Sequence, residues 1–335
     1  MIDRRTLRVG GLMVALLLIG GASLAVGTVR LTVAEVIAAL GEGRSAAAST
    51  AALIVWEMRL PRVVLAGLVG LSLGAAGAAY QGLFRNPLAD PFVIGASTGS
   101  ALGATLVIVL GGTGGALGFA AIPLGAFAGA IGAATLVYAA TAWWGRLPLV
   151  GLLLAGSAVS SGLGAVVWLL MVLHDEDLGR IVTRLMGSLA GQSWPAVAVG
   201  WPYVAVGVGG LTLLARPLDA LSLGEEPALA LGLPLRRMTG AIVAAASLAT
   251  AAAVAVAGGV GFVGLIAPHV ARAAVGGRHR YLLPASGLVG AILLILADDL
   301  ARTVAAPVEL PVGVLTALLG GPFFLLILGT KARAR

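Results

Sequence analysis

The sequence contains no cysteine and only three histidines, so disulfides, thiolate metal centres and iron–sulfur clusters are excluded and a structural zinc site lacks ligands. Charge is equally scarce. Asp, Glu, Lys and Arg make up 10% of the residues, against roughly 25% in an ordinary soluble domain. A chain that is also 59% hydrophobic, with a mean hydropathy of +1.06, belongs in a membrane. The apolar residues suffice for about ten spans of ~20 residues each, which leaves no room for a soluble hydrolase, Rossmann or nucleotide-binding module. No G-x-x-x-x-G-K-[ST] phosphate loop occurs. What the chain has in excess is glycine, 50 of 335 residues, which in apolar helices allows backbones to approach closely.

Apolar stretches fall at 9–27, 61–83, 93–111, 116–142, 148–172, 195–215, 239–258, 262–275, 281–304 and 311–329. Each reads as a helix, because lipid offers no partner to an unpaired backbone group. The expected fold class is therefore all-α, a polytopic membrane protein with ten transmembrane helices. The net charge of +7 is a matter of topology, not of nucleic-acid binding. With the N-terminus inside, the inner segments hold 14 of the 21 basic residues and 5 of the 14 acids. Both termini are then cytoplasmic by the positive-inside rule. Arg4, Arg5 and Arg8 before the first stretch resemble a signal peptide, but that stretch is long enough to span and its removal would spoil the charge bias, so it reads as a retained helix.

Three polar interruptions stand out. Phe84-Arg85-Asn86-Pro87-Leu88-Ala89-Asp90-Pro91 is an inner turn, bracketed by prolines, that re-enters at once through Phe92 to Gly99; it is either a connecting turn or backbone lining a cavity. Residues 216–238 are the longest inner excursion. Leucines alternate there with Gly224, Pro227, Gly232 and Pro234, giving two short helices with Glu225 and Glu226 in the first turn of the second. Such a segment is either a docking surface or a hairpin lying in the lipid interface. Residues 174–190 open with Asp175, Glu176 and Asp177 and carry apolar residues at helical spacing, as a short outer interfacial helix would.

Other motifs fail on context. Gly259-Val260-Gly261-Phe262-Val263-Gly264 spells a dinucleotide fingerprint, but no strand precedes it; close packing or a sharp turn suits it better. His269 lacks a sequence partner and reads as a hydrogen-bonded packing residue. Asp298-Asp299-Leu300-Ala301-Arg302 resembles half of a prenyltransferase magnesium-diphosphate site, yet one acidic pair is short of ligands. A proton-coupled secondary transporter, the main alternative, requires mid-span carboxylates, whereas all 14 acids fit at segment ends or in loops.

The motifs Arg59-Leu60-Pro61-Arg62, Gln81 through Pro91 with Gly95, Leu223-Gly224-Glu225 to Ala230-Leu231-Gly232, and Gly261 through His269 occur together in an order that resembles the FecCD-type permeases. These are the membrane subunits of type II ABC importers for iron–siderophores, haem and cobalamin. The resemblance covers nearly the whole chain. It implies an inverted repeat pairing spans 2–5 with 7–10 in a bacterial inner-membrane protein. It also implies a homodimer around one central path, two ATP-binding cassette ATPase subunits that hold ATP and Mg, and a periplasmic substrate-binding protein. No cofactor belongs to the chain itself, and it supplies no catalytic group. By the same resemblance, Arg59, Arg62 and Arg302 receive carboxylates of the binding protein; helix-end snorkelling is the competing explanation. Asn86 and Leu88 fall at the cytoplasmic gate, with Leu149 and Val150 near a second constriction that is more polar in the cobalamin members. Gly224, Glu225, Glu226, Pro227, Ala230, Leu231 and Gly232 correspond to the segment seated in the ATPase.

Overall fold

The structure, a computed structural model, describes residues 3–44, 49–111, 120–143 and 149–333. Residues 116–119 and 148, which open two of the apolar stretches, lie outside these, as do Arg146 and Arg335 of the inner basic set. Every regular element among the described residues is helical. In chain order they are α1 (Arg4–Ser23), α2 (Val33–Glu42), α3 (Thr50–Leu53), a π-helical turn (Ile54–Arg59), α4 (Leu60–Leu83), a 3₁₀ turn (Pro91–Ile94), α5 (Ala96–Val109), α6 (Ala121–Trp143) and α7 (Leu149–Leu173). There follow a 3₁₀ turn (Asp175–Asp177), α8 (Leu178–Leu185), α9 (Trp194–Leu213), α10 (Ala215–Leu223), α11 (Glu225–Ala230), α12 (Leu235–Ala257), α13 (Val263–Val275), α14 (His279–Thr303) and α15 (Val312–Arg333).

Among the described residues, seven helical runs are long and apolar enough to cross a membrane: α1, the run Thr50–Leu83, α6, α7, α9, α12 and α14. Three shorter apolar helices, α5, α13 and Val312–Leu326 of α15, stand where the sequence places the third, eighth and tenth spans. At 1.5 Å per residue the 14 residues of α5 and the 13 of α13 reach only ~20 Å, short of a ~30 Å hydrocarbon core. Each is preceded by irregular chain ending on a left-handed residue, Gly95 (φ 80°) before α5 and Phe262 (φ 66°) before α13.

The packing has internal symmetry. α4 lies against α14 and α13, and α12 lies correspondingly against α6 and α5. The α5–α6, α5–α7 and α6–α7 contacts are matched by α13–α14, α13–α15 and α14–α15. This is the pattern that an inverted repeat of spans 2–5 and 7–10 produces, with α4 and α12 crossing at its centre. Glycine makes the closest crossings possible. A methyl group on Gly70 or Gly77 would collide with the carbonyls of Gly290 and Gly264, and one on Gly99 or Gly103 with those of Gly129 and Gly125. With inner and outer named from the charge bias of the sequence, the core around Tyr80, Leu83, Leu211, Leu218 and Leu282 fills the half on the inner side, and a second cluster around Leu65, Leu73, Leu189 and Leu294 fills the half on the outer side. α1 sits at the edge of this assembly, against α14 and α13.

The glycine-rich segment before α13 does what its composition suggests. Gly258 ends α12 at φ 74°, and the Gly259 carbonyl is packed so tightly against Gly187 and Gly313 that neither tolerates a side chain. Phe262 holds its unfavourable φ because its ring fills the space above Gly320. His269 meets Phe323 edge-on, ring centroids 5.8 Å apart.

Candidate functional site

Two polar regions lie at opposite ends of the helices. At the outer end, α4 and α14 bring Arg59, Arg62 and Arg302 together with Asp298, Asp299 and Glu309. Pro61, at the start of α4, cannot donate to the preceding turn, and the six-residue π turn just before it absorbs the mismatch and sets Arg59. The Arg59 guanidinium donates to the carbonyls of Leu24 (2.6 Å) and Val29. Arg62 donates through Nε to Asp298 Oδ2 (2.9 Å), through Nη2 to Asp298 Oδ1 (3.0 Å) and through Nη1 to Glu309 Oε2 (2.8 Å). Arg302 donates to Ser23 Oγ (3.0 Å), the Val26 carbonyl (3.1 Å) and Asp299. Its Nε lies 3.2 Å from Asp298 Oδ2, an ion pair without an aligned hydrogen bond.

The three arginines are 6%, 8% and 4% exposed, and each guanidinium is hydrogen-bonded within the chain. Asp298, read as a helix-end acid, is near the outer end of α14 but turned fully inward at 1% exposure. Such a buried carboxylate is tolerable only because two guanidinium groups flank it. The same pairing accounts for the Asp298-Asp299 motif: the oxygens that a diphosphate-bound metal would need are held by arginine. Sequence reasoning picked out the arginines and missed their internal acids, although Asp298 and Arg302 at i, i+4 and Asp299 and Arg302 at i, i+3 were a readable signal.

Arg184 was also missed. It donates to the carbonyls of Val256 (2.9 Å) and Ala255, tying α8 to the C-terminal end of α12, where those carbonyls have no helical partner. Burial depresses its pKa to about 10, so it remains a cation at neutral pH.

At the inner end the turn after α4 is built by its own side chains. Asn86 Oδ1 accepts from the Leu88 N–H (3.0 Å), so these two residues form one Asx turn, and Asp90 Oδ1 accepts from the Phe92 N–H (2.9 Å), capping the 3₁₀ turn. That turn packs against α7. The Asp90 carboxyl keeps a little exposed surface, yet burial raises its pKa to about 6, with the Phe92 bond opposing the shift. Leu149 contributes the first backbone position of α7, its side chain lying outside the described set, and Val150 is 65% exposed. No hydrogen bond or ion pair joins Asn86 and Leu88 to these two among the described residues.

Residues 216–238 form the two short helices expected, α10 and α11, with Glu225 and Glu226 in the first turn of α11. Gly224 (φ 131°) breaks the chain between them and Gly232 (φ 76°) turns it toward α12. Ala228 is buried against the core, whereas Leu223, Leu229 and Leu231 are 72%, 57% and 69% exposed, and Pro227 and Ala230 are exposed beside them. His279 anchors the segment from below: Asp219 Oδ1 accepts both its backbone N–H (2.8 Å) and a contact from Nδ1 (2.7 Å).

With this geometry in hand, the similarity of the chain to known proteins is specific. It is 46% identical over 279 residues to the cobalamin import system permease protein BtuC of Halobacterium salinarum, covering 83% of this chain and 74% of that protein. It is 42% identical over 285 residues to the hemin transport system permease protein HmuU of Yersinia pestis, covering 81% and 82%. A solved structure described as an inward-facing conformation of a metal-chelate type ABC transporter superposes with a TM-score of 0.83 at 32% identity, over 96% of this chain and 98% of that one. The family model of FecCD transport proteins matches residues 13–330, and the chain accordingly belongs to the FecCD transport family.

Proposed function

We propose that this permease carries a bulky metal chelate across the bacterial inner membrane as a homodimer, with ten spans per subunit and both termini cytoplasmic. The observation that carries the proposal is the pair of interrupted short helices, α5 and α13, at equivalent places in the two repeat halves. Broken helices in corresponding positions are where membrane transporters with internal repeats form their paths. As a member of its family the chain is the transmembrane subunit of an ABC importer; the cargo class is iron–siderophore, haem or cobalamin.

Two ATP-binding cassette ATPase subunits, holding ATP and Mg, supply the chemistry, and this chain supplies the conformational element. The exposed leucines of α10 and α11 and the carboxylates of Glu225 and Glu226 form the surface seated in the ATPase. Movement of that surface is passed through the His279–Asp219 contact into α14 and through α12 into the central crossing, switching which side of the path is open. The Asn86–Leu88 turn and the start of α7 with Leu149 and Val150 form the inner gate.

Docking of the periplasmic binding protein works by exchange of partners. Glu309 occupies Arg62 and Asp299 occupies Arg302 in the free permease, and carboxylates of the binding protein displace them there, while Arg59 exchanges its bonds to the Leu24 and Val29 carbonyls. Uptake by the reconstituted complex of permease, ATPase and binding protein tests the whole reading. Iron–siderophore, haem and cobalamin are offered separately with and without ATP. ATP-dependent uptake of one class, abolished by Leu231→Asp with the complex still assembled on a column, supports it. Uptake driven by a proton gradient without ATPase overturns it in favour of a secondary transporter.

A further inference from the structure

A lateral groove of about 620 Å³ runs between α6 and α12, apart from the outer arginine cluster and reaching the end of the 216–238 segment at its mouth. Its α12 wall is one helix face, opened by Gly240 and Ala244 and continued to Leu248; its α6 wall is Ile131, Thr135 and Tyr138. Ala244 and Thr135 are exposed, so the groove faces outward from the bundle. Tyr138 leans across the lower part. A Cβ added at Gly240 would lie 2.6 Å from its Oη, so the missing side chain is what admits the ring. Below the tyrosine the mouth is formed by Arg236 and Arg237, both exposed, and neither makes an ion pair among the described residues.

We propose that this groove holds one anionic phospholipid of the inner leaflet, its phosphate between Arg236 and Arg237 and an acyl chain lying along Gly240, Ala244 and Leu248. Length supports it: from Arg237 to Leu248 the helix rises about 17 Å, close to the ~15 Å half-thickness of a bilayer core. Polarity supports it as well, since the groove is charged at one end, phenolic just above and mainly apolar beyond, where the Ser247 hydroxyl is already bonded to Tyr80 (2.9 Å), the order of layers in a single leaflet. Basic pockets between helices on the cytoplasmic side suit anionic headgroups, and neutral lipids gain nothing from the two guanidinium groups. The proposal rests on the cytoplasmic placement of the α12 start. Its consequence is that a lipid would bridge the first turn of α12, which follows the coupling segment directly, to α6.

Lipid retention measured by native mass spectrometry on the purified permease–ATPase complex, exchanged into equal phosphatidylglycerol and phosphatidylcholine, tests this. The wild type is expected to retain phosphatidylglycerol in preference. Arg236→Gln with Arg237→Gln should weaken that retention about ten- to thirty-fold, the loss of two charges near the headgroup plane, and leave phosphatidylcholine unchanged. Ala244→Phe, which fills the groove from an exposed position, should displace the bound lipid while keeping both arginines. Equal retention of the two lipids by the wild type, or unchanged retention in the arginine variant, overturns the proposal. So does an oxidative disulfide between copies carrying Thr135→Cys, because a second copy would then occupy the groove. Separately, labelling of Ser222→Cys by an impermeant thiol reagent in intact cells would refute the cytoplasmic placement while leaving a retained lipid at these residues intact, so the two failures are distinguishable.

Discussion

Asp298→Asn is the most discriminating single change at the outer end. Asparagine keeps the shape of the side chain but removes the charge that three contacts share: Arg62 Nε at 2.9 Å, Arg62 Nη2 at 3.0 Å and Arg302 Nε at 3.2 Å. Breaking a buried ion pair by neutralising one partner costs about 3–5 kcal/mol. Here Arg62 retains Glu309 and Arg302 retains Asp299, so the low end applies, about 3 kcal/mol. With an unfolding entropy of about 2.1 cal/mol/K per residue, a 335-residue chain has ~0.7 kcal/mol/K, and the midpoint should fall by roughly 4 °C. Fluorescence-detected size exclusion after heating in detergent measures it. A double-mutant cycle with Arg62→Gln then isolates the pair, and the double variant should lose clearly less than the two singles added together. A midpoint within about 1 °C of wild type, or strict additivity, would refute the assignment of Asp298 as the hub of this lattice.

Three further outcomes follow. Gly77→Ala and Gly103→Ala each press a methyl group into a facing carbonyl and should lower folded yield by overpacking worth about 1–3 kcal/mol, whereas Gly209→Ala, with open space, should be neutral or slightly stabilising; recovery of monodisperse protein reads this. Asp90, with a folded pKa of about 6 against an ordinary 3.8, favours the folded state below pH ~4 and loses that contribution as pH rises through 6. Asp90→Asn should therefore flatten the melting temperature between pH 4 and 7, which melts at several pH values measure. Arg184→Met should leave the Ala255 carbonyl of α12 without its side-chain donor, the Val256 carbonyl keeping Gln192 Nε2 (3.1 Å), and destabilise by about 1–3 kcal/mol, seen as a lower midpoint in the same heating assay.

The long apolar segments were legible because hydrocarbon imposes one rule on all of them: every backbone group must be paired within the segment. The two helices of residues 216–238 were legible for a different reason, since Gly224 and Gly232 mark breaks that only left-handed or extended backbone can make. What escaped was local or relational. Helix α2 lies in a stretch too short to span, and its signal, the reciprocal Thr32–Glu35 capping box with Oγ1 to the Glu35 N–H at 3.3 Å, is a pattern of two residues. The extension of the second span back to Thr50 hid behind Glu57 and Arg59, polar residues that lower hydropathy without ending the helix. The inward turn of Asp298 depends on Arg62, 236 residues away, and no window along the chain contains both.

These misses concern the outer end, and together they change the physics expected there. A solvent-exposed arginine cluster would attract a partner by long-range steering and lose that attraction at high salt. An arginine cluster already neutralised by Asp298, Asp299 and Glu309 projects little net field, so the docking proposed for it would work by partner exchange at short range. Under that proposal the acids nearest the surface set the exchange: Glu309 is 35% exposed at its side chain, against 2% for Asp298. Glu309→Gln should accordingly strengthen docking, because the Arg62 Nη1 donor is released toward the incoming carboxylate while the Asp298 bonds still hold its orientation. Titration of the binding protein onto the reconstituted complex reads the effect. Tighter binding with slower dissociation supports exchange. Weaker or unchanged binding would mean that Glu309 is part of the docking surface itself or remote from it, and that these arginines serve to hold α4 to α14.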